Sequence, residues 1–368
     1  MDFTPSEEQA AAQGLAARIL GDLSTHDRLV EAGSGTDAEL WKELCAAGLL
    51  GAVEETGLLG LVLLAEEQGR TTAQVPFVAS CVYGLLAVAG HGTEEQRGRL
   101  LPLLRDGTAV AAGAFPARGT VQAEPDDGVS GAVSQAVGGG VSGAVPQAAG
   151  GRLSGSVPLV PWLRDATHVL VAAADRSLWI VRTADPGVVT EPVETTAPWS
   201  AGRLVLAAAP AERLGGPGAY DEMLATARTA FAGVQAGVCA GSLTRAVEHA
   251  GTREQFGRPL STNQAVLLRA ADAYMDTEAI RVTAYEAAWR HDEGLPYGEQ
   301  ALTAAWWASE AGRRVVHAGQ HLHGGTGADL DHPVHRHFLW GRQLDAHLGG
   351  SGTVLQELGE LLLREGPE

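Results

Sequence analysis

The segment Arg253-Glu254-Gln255-Phe256-Gly257-Arg258-Pro259-Leu260, with Gln264 close behind it, sets a guanidinium beside an aromatic ring. Phe256 and Gly257 interrupt a long helical pattern between Glu248 and Asn263, which places Arg253 near a helix end. A planar guanidinium there grips phosphate oxygens two at a time, so a diphosphate carrying an adenine suits the Arg253 and Phe256 pair. A second segment, Gln320-His321-Leu322-His323-Gly324-Gly325-Thr326-Gly327, ends a helix in glycines and leaves backbone amides open to an anionic or planar ligand. A plain helix C-cap and a surface arginine fit the same spacings, so residue types alone leave both readings open.

Seven histidines crowd the stretch from His317 to His347, and His332, His335 and His337 raise the question of a metal site. Metal ligands must converge, whereas His321 and His323 stand two apart and diverge on a helix, and no Asp or Cys lies at a recognised spacing. No metal is expected, and solvated or interface histidines are the default. Cys45, Cys81 and Cys239 are odd in number and far apart, without zinc or redox-pair spacing, which suits a reduced cytoplasmic protein.

These segments must be held by a chain of 368 residues, enough for two or three domains or subdomains. With 45% hydrophobic and 19% charged residues the composition is globular. A formal charge of -18 repels nucleic acid and anionic membrane surfaces, so an anionic ligand must find a local basic patch. No basic region followed by an apolar block opens the chain, so no secretory signal is expected, and the richest apolar stretch, Leu58 to Ala65, is too short to span a membrane.

Residues 1–109 read as a helical domain. Ser6 caps a first helix, Thr36 caps a second that stops at Gly48, a third runs from Leu58 to Gln68 and stops at Gly69, and Thr93 caps a fourth. Residues 110–215 read as a middle β domain, with short runs such as His168 to Val171 and Leu178 to Val181. It contains a twelve-residue tandem repeat, Gly128 to Gly139 and Gly140 to Gly151, with a partial third copy from Arg152 to Leu159. Two and a half copies are too few for a solenoid, so a duplicated hairpin or flexible insertion is expected. Residues 216–368 read as a helical bundle, with helices from Tyr220 to Ala250, Asn263 to His291 and Gly298 to His323. The fold class is α+β, in the order helix, β, helix.

The first segment resembles the R-x-Q-F-G-x-P-L/I signature, with its following Gln, of acyl-CoA dehydrogenases. The second is similar to that family's Q-x-H-G-G-x-G segment, and Asp331-His332-Pro333-Val334-His335-Arg336 to its downstream Pro and Arg. The resemblance covers essentially the whole chain and implies an acyl-CoA dehydrogenase-like fold with FAD as cofactor. It implies that Arg253, Gln255, Phe256, Gln264, Gln320, His321, Gly324 and Gly325 grip the ADP half of an FAD whose flavin lies in a neighbouring subunit. Which of Gln320 and His321 meets the cofactor is left open.

Removing an α-proton while hydride leaves the β-carbon requires a carboxylate base in a dry pocket. In most of the family it is the Glu of a Y-E-G-T segment, matched here by Leu348-Gly349-Gly350-Ser351; in some members it lies upstream, at a place that falls at or next to Ala227. Neither holds an acid, so no catalytic residue is assigned, with Asp221, Glu222 and Asp345 as weaker candidates for a relocated base. The family's flavin-ring loop, L-T-E-P-x-x-G-S-D, is matched by Ala114-Phe115-Pro116-Ala117-Arg118-Gly119-Thr120, without the acid or the Ser-Asp, so this β domain is expected to hold no flavin. The resemblance therefore implies the non-catalytic subunit of a steroid-type heterotetramer (α2β2), paired with a homologous catalytic chain that carries the Glu and binds most of the acyl-CoA. A homomeric enzyme with a relocated base and a redox-inactive scaffold are the alternatives.

Overall fold

A computed structural model describes residues 2–116, 121–125 and 150–365. The chain forms two compact units. One comprises residues 1–78, 195–198 and 225–368, and the other residues 79–194 and 199–224.

In the first unit the N-terminal helices are α1 (Glu7–Leu23), α2 (His26–Ala32), α3 (Ala38–Ala46) and α4 (Leu49–Thr71). Ser6 caps α1 with a reciprocal capping box to Gln9. The cap of α3 is Asp37 rather than Thr36: its carboxylate accepts from the Leu40 N–H at 3.0 Å and pairs with Arg28 at 2.7 Å. Gly69 does not stop α4, which continues to Thr71. A Cβ at Gly69 would lie 2.0 Å from the Val234 carbonyl oxygen, so the glycine serves close helix packing and not chain termination. Gly57 (φ 72°) breaks α4 in the middle, and the amides exposed there, Leu58 and Leu59, donate to the Asp292 carboxylate at 2.8 and 2.9 Å.

The C-terminal part of this unit contains most of α8 (Ala219–Thr252), then α9 (Gln264–Asp292), α10 (Gly298–His323), α11 (Val334–Leu348) and α12 (Ser351–Glu365). On α8, Met223, Ala227, Phe231, Val234 and Val238 are all buried, as the helical stripe in the sequence predicts. α10 packs on α9, α11 and α12, while α4 packs on α1 and α9.

In the second unit seven strands among the described residues make one sheet: β1 (Ala111–Ala114), β2 (Gln122–Pro125), β3 (Gly150–Val160), β4 (His168–Ala172), β5 (Leu178–Arg182), β6 (Val188–Pro192) and β7 (Gly202–Leu214). The order is β1-β4-β5-β7-β3-β2, with β6 also on β7; only β1 and β4 run parallel. Trp179, Leu153, Val181 and Leu204 lie in its core. The tandem repeat falls outside the described residues except for Gly150 and Gly151, which begin β3, and the partial third copy is the body of that strand. Before the sheet come α5 (Phe77–Ser80), a π-helical stretch (Cys81–Leu86), α6 (Ala87–His91) and α7 (Glu94–Arg105), which Thr93 caps; from Ala79 onward they belong to this unit. No single helix among the described residues is long and apolar enough to cross a membrane. The architecture is α+β, with helices in the N-terminal and C-terminal parts of the chain and a sheet in the middle part.

Candidate functional site

α8 ends at Thr252, and the interruption that follows is a miniature hairpin. Glu254–Gln255 pairs antiparallel with Arg258–Pro259, and the Leu260 N–H donates to the Arg253 carbonyl at 2.9 Å to close the loop. Phe256 and Gly257 form the tip with φ of 54° and 75°, the positive-φ pair of a tight two-residue turn. Such a turn favours Asn-Gly, and a bulky residue in the left-handed region costs about 1 kcal/mol. Phe256 accepts that strain and is still 94% exposed, so no packing among the described residues accounts for the ring. Arg253 and Gln255 are exposed beside it, and Gln264 is exposed at the start of α9, which Asn263 caps.

The second segment lies at the end of α10. Gly324 (φ 62°) stops the helix and begins a 3₁₀ turn, Gly324–Ala328. Gln320 is committed to that turn: its side-chain amide donates to the Gly327 carbonyl at 3.3 Å. His321 is exposed and lines a groove of about 610 Å³ with Arg269, Met275, Arg314 and His317. Gln320 therefore shapes the glycine turn, and His321 is the one that faces outward. A Cβ at Gly325 would meet nothing within 4 Å, and its φ lies outside the left-handed region. Its smallness answers no need of this chain and leaves a place that an external ligand can approach closely.

These residues share one end of the helical unit. α9 and α10 pack side by side, with Asp276 and Arg314 paired at 2.7 Å and Arg269 and His321 on one groove, so Gln264 falls toward Gly324 and Gly325. His249, one turn before Arg253, stacks on His323 with ring centroids 4.7 Å apart, which draws the end of α8 to the same place. In a chain of net charge -18, Arg245, Arg253, Arg258 and Arg269 make no salt bridge or side-chain hydrogen bond among the described residues. Unpaired guanidinium groups and open backbone at one end of a helical unit fit a diphosphate. Sequence reasoning missed Arg245, His249 and Arg269. The signal for the first two was present, because 245, 249 and 253 are four apart and share one face of a helix.

The places where an acid is needed are filled otherwise. Gly349 and Gly350 (φ 109° and 76°) form the break between α11 and α12, and the Ser351 hydroxyl donates to Glu310 at 2.9 Å. Ala227 is buried, Thr226 shares a 3.0 Å hydrogen bond with the Tyr297 hydroxyl, and buried Arg228 pairs with Glu357 at 2.6 Å. The weaker candidates are also engaged: Asp345 accepts from the Ser309 hydroxyl, Asp221 pairs with Arg176, and Glu222 lies 3.8 Å from His91. In the sheet unit, Phe115 is stacked between Tyr83 and Tyr220 at 5.5 and 5.6 Å, and Arg176 covers Tyr220 at 4.5 Å. Residues 117–120 of that loop lie outside the described residues. Arg336, which matches the signature's downstream arginine, is internal: it donates to Gln74 at 2.7 Å and to the Leu29 carbonyl, and burial lowers its pKa to about 10. No three His, Cys, Asp or Glu side chains among the described residues gather as a metal ligand set.

The chain belongs to the acyl-CoA dehydrogenase family. The family's N-terminal domain matches residues 6–108 and its C-terminal domain residues 215–358. It is similar to acyl-CoA dehydrogenase FadE27 of Mycobacterium tuberculosis, at 34% identity over 98% of this chain and 99% of that protein. Among solved structures it resembles a chain of the steroid ACAD Tcur3481-Tcur3483 (41% identity, 98% of both chains, TM-score 0.87). It also resembles one of the ChsE4-ChsE5 complex of Mycobacterium tuberculosis (32% identity, 100% of both chains, TM-score 0.88).

Proposed function

We propose that this chain is the non-catalytic subunit of a hetero-oligomeric, FAD-dependent acyl-CoA dehydrogenase, arranged α2β2 with a homologous partner in the cytoplasm. The partner supplies the carboxylate and most of the acyl-CoA site, and this chain supplies the ADP-side contacts to the partner's FAD. Bound FAD would accept the hydride from the β-carbon of the thioester. Arg253 would hold the diphosphate, Phe256 and Gln255 would close over the nucleotide from the hairpin, and Gln264, His321, Gly324 and Gly325 would line the opposite wall. Gln320 would act through the turn it braces.

The observation that carries this reading is a pairing of a presence with a deficit. An end of the bundle offers unpaired arginines and a strained, exposed Phe256, while both family positions for the base hold glycine or alanine. An exposed apolar strip on α9, with Leu267, Leu268, Tyr274 and Met275, continues from the hairpin and supports a partner chain covering this face. The two solved relatives that combine two named components support a heteromeric assembly, and the steroid ACAD among them supports a steroid side-chain CoA thioester as the substrate.

The test is the chain expressed by itself and assayed for flavin absorbance and acyl-CoA turnover. No turnover and no stoichiometric flavin are expected. One FAD per chain with acyl-CoA oxidation would overturn the proposal in favour of a homomeric enzyme.

A further inference from the structure

Three histidines stand beside the nucleotide-gripping residues without a part in that grip. His249 on α8 stacks on His323 at the end of α10, and His323 meets His332, ahead of α11, with centroids 5.1 Å apart. His323 is 4% exposed, and its Nδ1 lies 2.7 Å from the Gly319 carbonyl. A carbonyl only accepts, so Nδ1 carries the proton and Nε2 is left to take another. The Nδ1 of His332 accepts from the Val334 N–H at 3.3 Å, so a proton there would break a bond; the ring of His249 makes no hydrogen bond among the described residues. The sites open to protonation are thus His249 and the Nε2 of His323, with His332 as their brace.

The charged groups around the stack are known. Arg245 is on the helix of His249, Arg253 follows its last residue, Glu248 lies next to His249, and Asp329 stands in the turn before His332. Burial holds His249 below the ordinary imidazole range, and His323 and Arg253 press it lower. Burial likewise lowers His332, helped by His323, Arg245 and His249 and opposed by Asp329. Without a ligand the field of Arg245 and Arg253 opposes a proton on His249 and His332.

We propose that His249 and His323, braced by His332, form a proton-accepting subsite for a nucleotide diphosphate: the anion arriving at Arg253 is bound together with a proton taken from solvent onto this stack. The identity of the anion rests on the function proposed above. The physical reason is a reversal of field. A diphosphate held at Arg253 attracts the positive charge that two arginines repel, raising the proton affinity of the rings about tenfold. The ligand then meets one more cation than the apo surface displays. Because the ligand favours the protonated form, binding weakens as pH rises, roughly three- to tenfold between about pH 6 and pH 8.

The experiment is a calorimetric titration of FAD into the flavin-stripped complex of this chain and its partner, near neutral pH, in Pipes and in Tris. A buffer-dependent enthalpy corresponding to roughly a quarter to half a proton taken up per FAD is expected. In His249→Phe the uptake should fall by at least half while FAD still binds. Tight FAD binding with the same enthalpy in both buffers, or undiminished uptake in His249→Phe, would overturn the inference and leave the cofactor reading intact. No FAD binding by the unaltered complex would overturn both.

Discussion

Glu66→Ala should destabilise the chain by about 3 kcal/mol, the largest single effect expected. Glu66 is 2% exposed on α4 and collects three partners. Arg281 donates to it at 2.6 and 3.0 Å, the Tyr285 hydroxyl at 2.9 Å and Arg70 at 3.1 Å. Burial pulls the Arg281 guanidinium down, but hydrogen bonds and charge from Glu66 outweigh it and hold the pKa above its ordinary value. Tyr285 is pushed up by burial and then by Glu66. Removing the carboxylate leaves a half-buried guanidinium with only Glu278 for company, and the cost is the charge left behind rather than the pair's own worth. Denaturant unfolding of the full chain reads the change, and a loss below about 1 kcal/mol would show that water reaches Arg281 in the folded state.

Arg253→Ala is expected to weaken FAD binding by the complex about ten- to a hundredfold, the equivalent of one charge-assisted contact of roughly 1.5 to 3 kcal/mol. Arg253→Lys should fall between, because an ammonium keeps the charge and loses the planar fork. Neither change should move the melting temperature of the isolated chain, since the side chain is exposed and makes no salt bridge or hydrogen bond among the described residues. Phe256→Ala gives a parallel contrast: the ring is almost wholly exposed and its backbone strained, so the variant should be as stable as the parent and yet hold FAD less well. Unaltered FAD affinity in Arg253→Ala would remove the diphosphate assignment. A large loss of stability would mean that the hairpin is structural.

Much of the fold was legible because local chemistry and tertiary structure agree. Ser6 and Thr93 cap helices as their types demand, β4 and β5 occupy the β-branched runs, and the three long C-terminal helices end within a residue or two of their pattern. The misses have tertiary causes. Gly69 reads as a stop, but it is small because the Val234 carbonyl needs the room; likewise Gly237 on α8 accommodates the Glu66 carbonyl, where a Cβ would lie 1.9 Å away. Neither contact has a local signal. α11 and α12 were not separated, since the pair of left-handed glycines between them was read for its missing carboxylate and not as a helix break.

At the site, the two motifs were accessible from residue type, whereas their meeting on one cofactor was implied only by the resemblance they carry. The hairpin was not, because two residues per strand are too few for a periodicity to register. Gln320 illustrates a second limit: sequence places it beside His321, and only the 3.3 Å hydrogen bond to Gly327 shows that it faces its own turn. The histidine stack was invisible for a similar reason, as its members come from three separate elements and meet only through the packing of α8 on the end of α10.

The division of labour between two chains is tested most directly by purification from the native host, followed by a ratio of flavin to polypeptide. A second acyl-CoA dehydrogenase chain should accompany this one, with about one FAD for every two chains. Recovery of this polypeptide alone, carrying one FAD per chain, would contradict it.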